Sequence, residues 1–129
     1  MIRIALAGQP NSGKSTVFNQ VAGYRSITSN FPSKTVTYLI SKVSVEGEVV
    51  DLPSTYSLTS SDEAELEVRN YILRGEADVI INVVDTTVLS RRLEFTLQLI
   101  QLGKPIVICL NKMDEAEREL LSAFAGSFV

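Results

Sequence analysis

The chain has 129 residues, 45% hydrophobic and 21% charged, which fits one globular domain and leaves no room for two. Its formal net charge of -3 argues against nonspecific nucleic-acid binding, which needs a basic surface. With no histidine and a single cysteine, Cys109, it can form no histidine metal site, no Ser–His–Asp triad and no internal disulfide, and a reduced compartment is the simpler reading.

Ile2–Ala7 is a short apolar run that predicts a first strand, with no signal-peptide apolar region before it. Gly8–Gly13 is a loop. Lys14–Ala22 carries Val17, Phe18 and Val21 at helical spacing, and Gly23 fits a stop. Tyr24–Lys34 is polar and reads as irregular. Thr35–Val45 alternates loosely and is β-branched, Val49–Leu52 is a short strand, and Glu46–Glu48 with Gly47 fits a hairpin turn between them. Pro53–Ser61 is a loop rich in Ser and Thr. Asp62 predicts the cap of a helix over Glu63–Arg74, with Glu65 as capping-box partner and Gly75 as its end. Val79–Val84 is an apolar run broken only by Asn82, as in a buried central strand. Leu89–Leu102 has helical spacing and stops at Gly103; Leu93, Leu97 and Leu99 are expected in the core. Pro105–Leu110 predicts another buried strand containing Cys109, and Glu115–Phe124 a last helix. The alternation of strands and helices predicts an α/β domain with a mainly parallel sheet. No run approaches the ~20 apolar residues of a membrane helix.

Residues 8–15 read Gly-Gln-Pro-Asn-Ser-Gly-Lys-Ser, the pattern G-x-x-x-x-G-K-(S/T). Its glycines let the backbone turn tightly, so that consecutive N–H groups converge on phosphate oxygens. The following helix adds its positive end. Lys14 would reach the β- and γ-phosphates, and the Ser15 hydroxyl would ligate magnesium. A chance match is the competing reading, and the motif's place between a strand and a helix argues against it.

Residues 111–114 read Asn-Lys-Met-Asp after the Pro105–Leu110 run. A carboxylate at Asp114 can accept from the guanine ring N–H and its amino group, a donor pair that adenine lacks. Asn111 would tie this loop to the phosphate loop, and the Lys112 stem would cover one face of the base. The plainer alternative is that Asp114 only caps the next helix. Ligands of open α/β sheets sit beyond the strand C-terminal ends, where both motifs fall. Asp51, after Val49–Val50, would hold magnesium through water; the alternative is a turn-forming Asp before Leu-Pro.

These stretches carry a resemblance to the N-terminal G domain of the ferrous-iron transport protein B (FeoB) family. They are Gly8–Thr16, Asn30–Val36, Asp51–Thr59, Tyr71–Leu73, Ala77–Asp85, Leu97–Pro105 and Asn111–Ala116. The Asp-Leu-Pro-Ser-Thr-Tyr-Ser-Leu stretch separates that family from other Ras-like GTPases. The resemblance implies a Ras-like fold, mostly parallel with one antiparallel strand. It implies hydrolysis of GTP to GDP and phosphate, expected to be slow because Thr55 and Tyr56 offer no obvious water-positioning group, and a nucleotide site of Gly8, Pro10, Asn11, Ser12, Gly13, Lys14, Ser15, Thr16, Asn111, Lys112 and Asp114. Magnesium would fall to Ser15, Thr35 and Asp51, with Thr35 as the switch threonine, and potassium to Asn11. Lys14, Asn11, Thr35 and Ser54 would carry the catalysis. The full protein would hold this domain at the cytoplasmic face of the inner membrane, joined to a membrane iron channel.

Three departures qualify those expectations. Ser54 stands at the glycine of the family's Asp-x-x-Gly, which keeps the backbone N–H and loses the freedom of glycine. Ser33, followed by Lys34, replaces a switch glycine. The chain ends at Val129, so residues 1–129 are expected to be a single shortened G domain lacking the last strand and helix, with an uncovered sheet edge beside Pro105–Leu110 open to self-association. Thr55 and Tyr56 stand where a water-positioning glutamine is common, and Arg25 is no convincing arginine finger. A guanine-nucleotide module with negligible hydrolysis therefore competes with a GTPase, and an adenine-specific ATPase leaves Asn111–Asp114 unexplained. Direct iron binding has no support: Glu63, Glu65 and Glu67 read as a solvated helix face.

Overall fold

The computed structural model describes residues 2–23, 26–32, 36–44, 46–59 and 62–112; of residues 88–92 it describes the backbone alone. Strands β1 (Ile2–Gly8), β2 (Ser26–Asn30), β3 (Thr37–Ser44), β4 (Gly47–Asp51), β5 (Val79–Asp85) and β6 (Ile106–Asn111) form one sheet in the order β2-β3-β4-β1-β5-β6. β1 runs parallel to β4 and β5, and β5 parallel to β6. β3 is antiparallel to both its neighbours, so it alone opposes the common direction.

Helices cover both faces, as a largely parallel sheet requires. On one face Ala5, Ala7 and Val50 meet Val68 and Ile72 of α2 (Glu63–Leu73) and Phe95 and Leu99 of α3 (Leu89–Gln101). On the other, Leu6 and Val49 meet Phe18 of α1 (Lys14–Val21). Each large side chain buried this way contributes roughly 1.5–3 kcal/mol. The alternation Ala5-Leu6-Ala7 gives small residues to the two-helix face and a large one to the α1 face.

Local chemistry fixes the helix ends. The Asp62 carboxylate accepts from the Glu65 amide at 2.8 Å, as the cap predicts, and Gly75 follows α2 at φ 70°. Gly23 does more than stop α1. A Cβ there would lie 2.0 Å from the Lys42 carbonyl oxygen, so glycine is what lets the chain pass against β3. The Asn82 side chain, 1% exposed, donates to the Ala7 carbonyl at 3.3 Å and accepts from Thr96 Oγ1 at 2.5 Å. The polar break in an apolar strand is thus a bolt between β1, β5 and α3.

Five expectations need correction. Part of the irregular Tyr24–Lys34 stretch is strand β2, whose residues are mostly exposed and which pairs backbone to backbone along β3. Pro105–Leu110 is a strand but not a buried one: among the described residues β6 is the last strand, and Val107, Ile108 and Leu110 are exposed. Cys109 on it is only half-buried rather than core. Of the three leucines assigned to the core, Leu99 is buried while Leu93 and Leu97 are exposed, because α3 turns Phe95, Thr96 and Leu99 to the sheet. Glu65 and Glu67 are buried, so only Glu63 fits a solvated face. The helix expected over Glu115–Phe124 lies outside the described residues.

Candidate nucleotide site

The loop between β1 and α1 is shaped by residues that accept unusual backbone angles. Asn11 and Gly13 both have positive φ, 66° and 88°. A Cβ on Gly13 would lie 2.0 Å from Asn111 Nδ2, and one on Gly8 would lie 2.8 Å from Ser12 Oγ and 3.0 Å from the Val83 carbonyl oxygen. Gly13 is therefore required by its conformation, and a side chain there would displace the Asn111 amide, while one at Gly8 would displace the Ser12 hydroxyl and crowd β5. Gly13 is also the N-cap of α1, and no side chain caps that end. The first amides of the helix thus face the loop's concave side, an arrangement suited to an anion.

Lys14 is buried, at 4% exposure. Its ammonium pairs with the Asp51 carboxylate and donates to the Leu52 carbonyl at 2.6 Å. A phosphate group entering the loop would offer this ammonium a third partner, while Asp51 stands beside it at the end of β4. Ser15, Lys14 and Ser54 line two adjoining cavities. One, of about 240 Å³, also touches Asn11, Ser12 and Gly13. The other, of about 270 Å³, also touches Asp51, Thr28 and Thr37. Among the described residues no cluster of three carboxylate, cysteine or histidine ligands exists. Among the described residues, a cation beside Asp51 and Ser15 would meet one carboxylate and one hydroxyl, together with the ligand's own phosphate oxygens. That donor set fits magnesium, which keeps few protein ligands.

The second motif meets the first. Asn111 Nδ2 donates to the Ser12 carbonyl at 3.0 Å, and Lys112 Nζ donates to the Asn11 carbonyl at 2.9 Å. Two stretches about a hundred residues apart are locked at the ends of parallel strands. Pro10 and Thr16 lie in the loop and on α1 and line neither cavity. Thr35, Ser33, Lys34, Arg25 and Asp114 lie outside the described residues.

Sequence reasoning overlooked Asp85, Thr86, Gln9 and Gln98. Asp85, 6% exposed, accepts from the Thr87 amide at 2.9 Å and hydroxyl at 2.5 Å, and from Lys112 Nζ at 3.3 Å. Burial acts to raise its pKa, but the Thr87 hydroxyl and amide and the Lys112 ammonium outweigh it and hold the carboxyl below its ordinary range. Thr86 Oγ1 donates to the Asn111 carbonyl at 2.8 Å. The end of β5 is thus a shelf that fixes Asn111 and Lys112. Its position at a strand C-terminal end was the available signal. Gln9 Nε2 donates to the Tyr56 carbonyl at 2.8 Å, and Gln98 Oε1 accepts from the Leu58 amide at 2.8 Å. No spacing rule points to either glutamine.

Residues 2–123 match the family model described as ferrous iron transport protein B. The chain is 44% identical over 125 residues to the Fe(2+) transporter FeoB of Escherichia coli (strain K12), and 43% identical over 125 residues to that of Salmonella typhimurium. In both cases the match covers 92% of this chain and only 16% of the relative's length. Among solved structures, a mutant of S. thermophilus NFeoB bound to GDP superposes with a TM-score of 0.87 at 40% identity, covering 92% of this chain and 48% of that one. The G domain of the T. maritima FeoB iron transporter superposes with a TM-score of 0.83 at 32% identity, covering 98% of this chain and 83% of that one.

Proposed function

The chain belongs to the ferrous iron transport protein B (FeoB) family, and from that premise we propose that residues 1–129 form a single G domain that binds GTP or GDP with magnesium and hydrolyses GTP slowly. The observation that carries this reading is the pair of side chains, Asn111 and Lys112, bonded to the carbonyls of Ser12 and Asn11. It joins a phosphate cradle to the loop whose next acidic residue is Asp114. Gly8, Pro10, Gly13, Lys14, Ser15 and Thr16 would surround the phosphates. Magnesium, with Ser15, Asp51 and Thr35 as its ligands, would neutralise phosphate charge. Lys14 and the loop amides would stabilise charge that develops on the transferred group. In the whole transporter, the domain would sit at the cytoplasmic face of the inner membrane and signal its nucleotide state to a membrane iron channel.

A second reading has an observation of its own: Ser54 lines both cavities at the position of the family's glycine. On that reading the domain holds guanine nucleotides with negligible turnover. Single-turnover GTP cleavage separates the two, run on the wild type and on Ser54→Gly, in potassium and in sodium. The GTPase reading expects measurable cleavage by the wild type, faster in potassium through Asn11 and faster again in the glycine variant. No cleavage by either protein in either salt supports the binding module. Equal rates in potassium and sodium sink the role of Asn11.

A further inference from the structure

The stretch Leu52–Thr59 between β4 and α2 bears Ser54, yet it has no regular structure of its own. Its position is set from outside. The Thr55 amide donates to the Gly8 carbonyl at 3.3 Å, and Gln9 Nε2 donates to the Tyr56 carbonyl at 2.8 Å. On the helix side the Leu58 amide donates to Gln98 Oε1 at 2.8 Å, and the Ser57 hydroxyl donates to the Glu65 carboxylate. The stretch is therefore clamped twice, once by the phosphate loop and once by α2 and α3.

Resting on the GTPase reading above, we propose that Gln9 is a positioning residue for hydrolysis: it fixes the Tyr56 carbonyl, and through that the aim of the Ser54 amide toward the γ-phosphate. Gln9 suits this role on three counts. It is 7% exposed, so its side chain has little freedom to leave. It belongs to the phosphate loop and lines the same cavity as Lys14, Ser15 and Ser54. Its hydrogen bond falls two residues beyond Ser54, so only the backbone torsions of Ser54, Thr55 and Tyr56 separate the held Tyr56 carbonyl from the Ser54 amide. Serine at position 54 makes the clamp more consequential, because the backbone lacks the range that glycine would give it. The site then has a device for holding the nucleophile's surroundings that needs no glutamine after Ser54.

Gln9→Met tests this, since it keeps the volume and removes the N–H donor. Three quantities are read on wild type and variant in magnesium and potassium: GDP affinity, affinity for a non-hydrolysable GTP analogue, and the single-turnover cleavage rate. The proposal expects GDP affinity within about twofold of wild type, a reduced preference for the analogue, and cleavage slowed roughly ten- to a hundredfold, as for a misplaced reacting geometry. Unchanged cleavage with intact GDP binding overturns it. An equal loss of GDP and analogue binding also overturns it, because Gln9 would then only support the loop's fold. If the wild type cleaves no GTP, it is the GTPase reading that fails. The analogue-to-GDP preference then decides Gln9 alone: a fall supports the clamp, and no change refutes it.

Discussion

At the scale of single residues, Asp85 is a buried electrostatic anchor for the end of β6. It holds Lys112, which in turn reaches the Asn11 carbonyl. Because folding lowers its pKa from the ordinary 3.8, the folded chain binds fewer protons at Asp85 than the unfolded chain does near that value. Its contribution to stability is therefore complete above about pH 4 and is lost as pH falls through the depressed folded value. Asp85→Asn should cost on the order of 1–2 kcal/mol at neutral pH. It should also flatten the acid side of the stability curve, as read by urea melts at a series of pH values from neutral to acid. An acid limb identical to wild type would show that Asp85 is not held as described. This residue was not legible as a site in the sequence. An aspartate closing an apolar run looks like a strand end until the fold places Lys112 over it. Gly13 and Asn111 are the opposite case. Their local chemistry names them, and the structure adds only that a Cβ at position 13 would collide with Asn111 Nδ2.

At the scale of elements, local signals served where one residue decides the outcome. Asp62 caps α2 as its sequence position implies, and Asp62→Ala should lower stability by about 1 kcal/mol in denaturant unfolding. A change indistinguishable from zero would mean that packing of Val68, Tyr71 and Ile72 holds the helix without its cap. Elements built by partners rather than by their own pattern were harder to read. β2 contains Ser, Thr and Asn around a single Ile27 that is itself exposed, so no periodicity announces it; only pairing along β3 makes it a strand. Similarly, helical spacing puts Leu93 and Leu97 on one stripe of α3 and Leu99 with Phe95 on another, but both stripes are apolar, so spacing alone does not say which one meets the sheet. Glu65 and Glu67 look like surface charge in sequence yet both are buried, and Glu65 accepts from the Ser57 hydroxyl of the loop before α2.

At the scale of the whole molecule, the order β2-β3-β4-β1-β5-β6 brings the ends of β1, β4, β5 and β6 to one rim. The phosphate loop, Asp51, Asp85 and Asn111 all follow or close those ends. This convergence was readable from two motifs and a βαβ rhythm, because the rim is where parallel strands of such sheets present their loops. The same topology leaves β6 with apolar side chains exposed at the edge of the described sheet. We expect concentration-dependent self-association through that edge, reduced by Ile108→Lys. Light scattering that shows a monodisperse monomer at high concentration would contradict it. If the phosphate loop and the Asn111–Asp114 loop act as one guanine-selective site, calorimetry in magnesium and potassium, with ADP as competitor, should show saturable GDP binding that excess ADP fails to displace. Weak or absent GDP binding, or displacement by ADP with equal ease, would mean that the two loops do not form such a site.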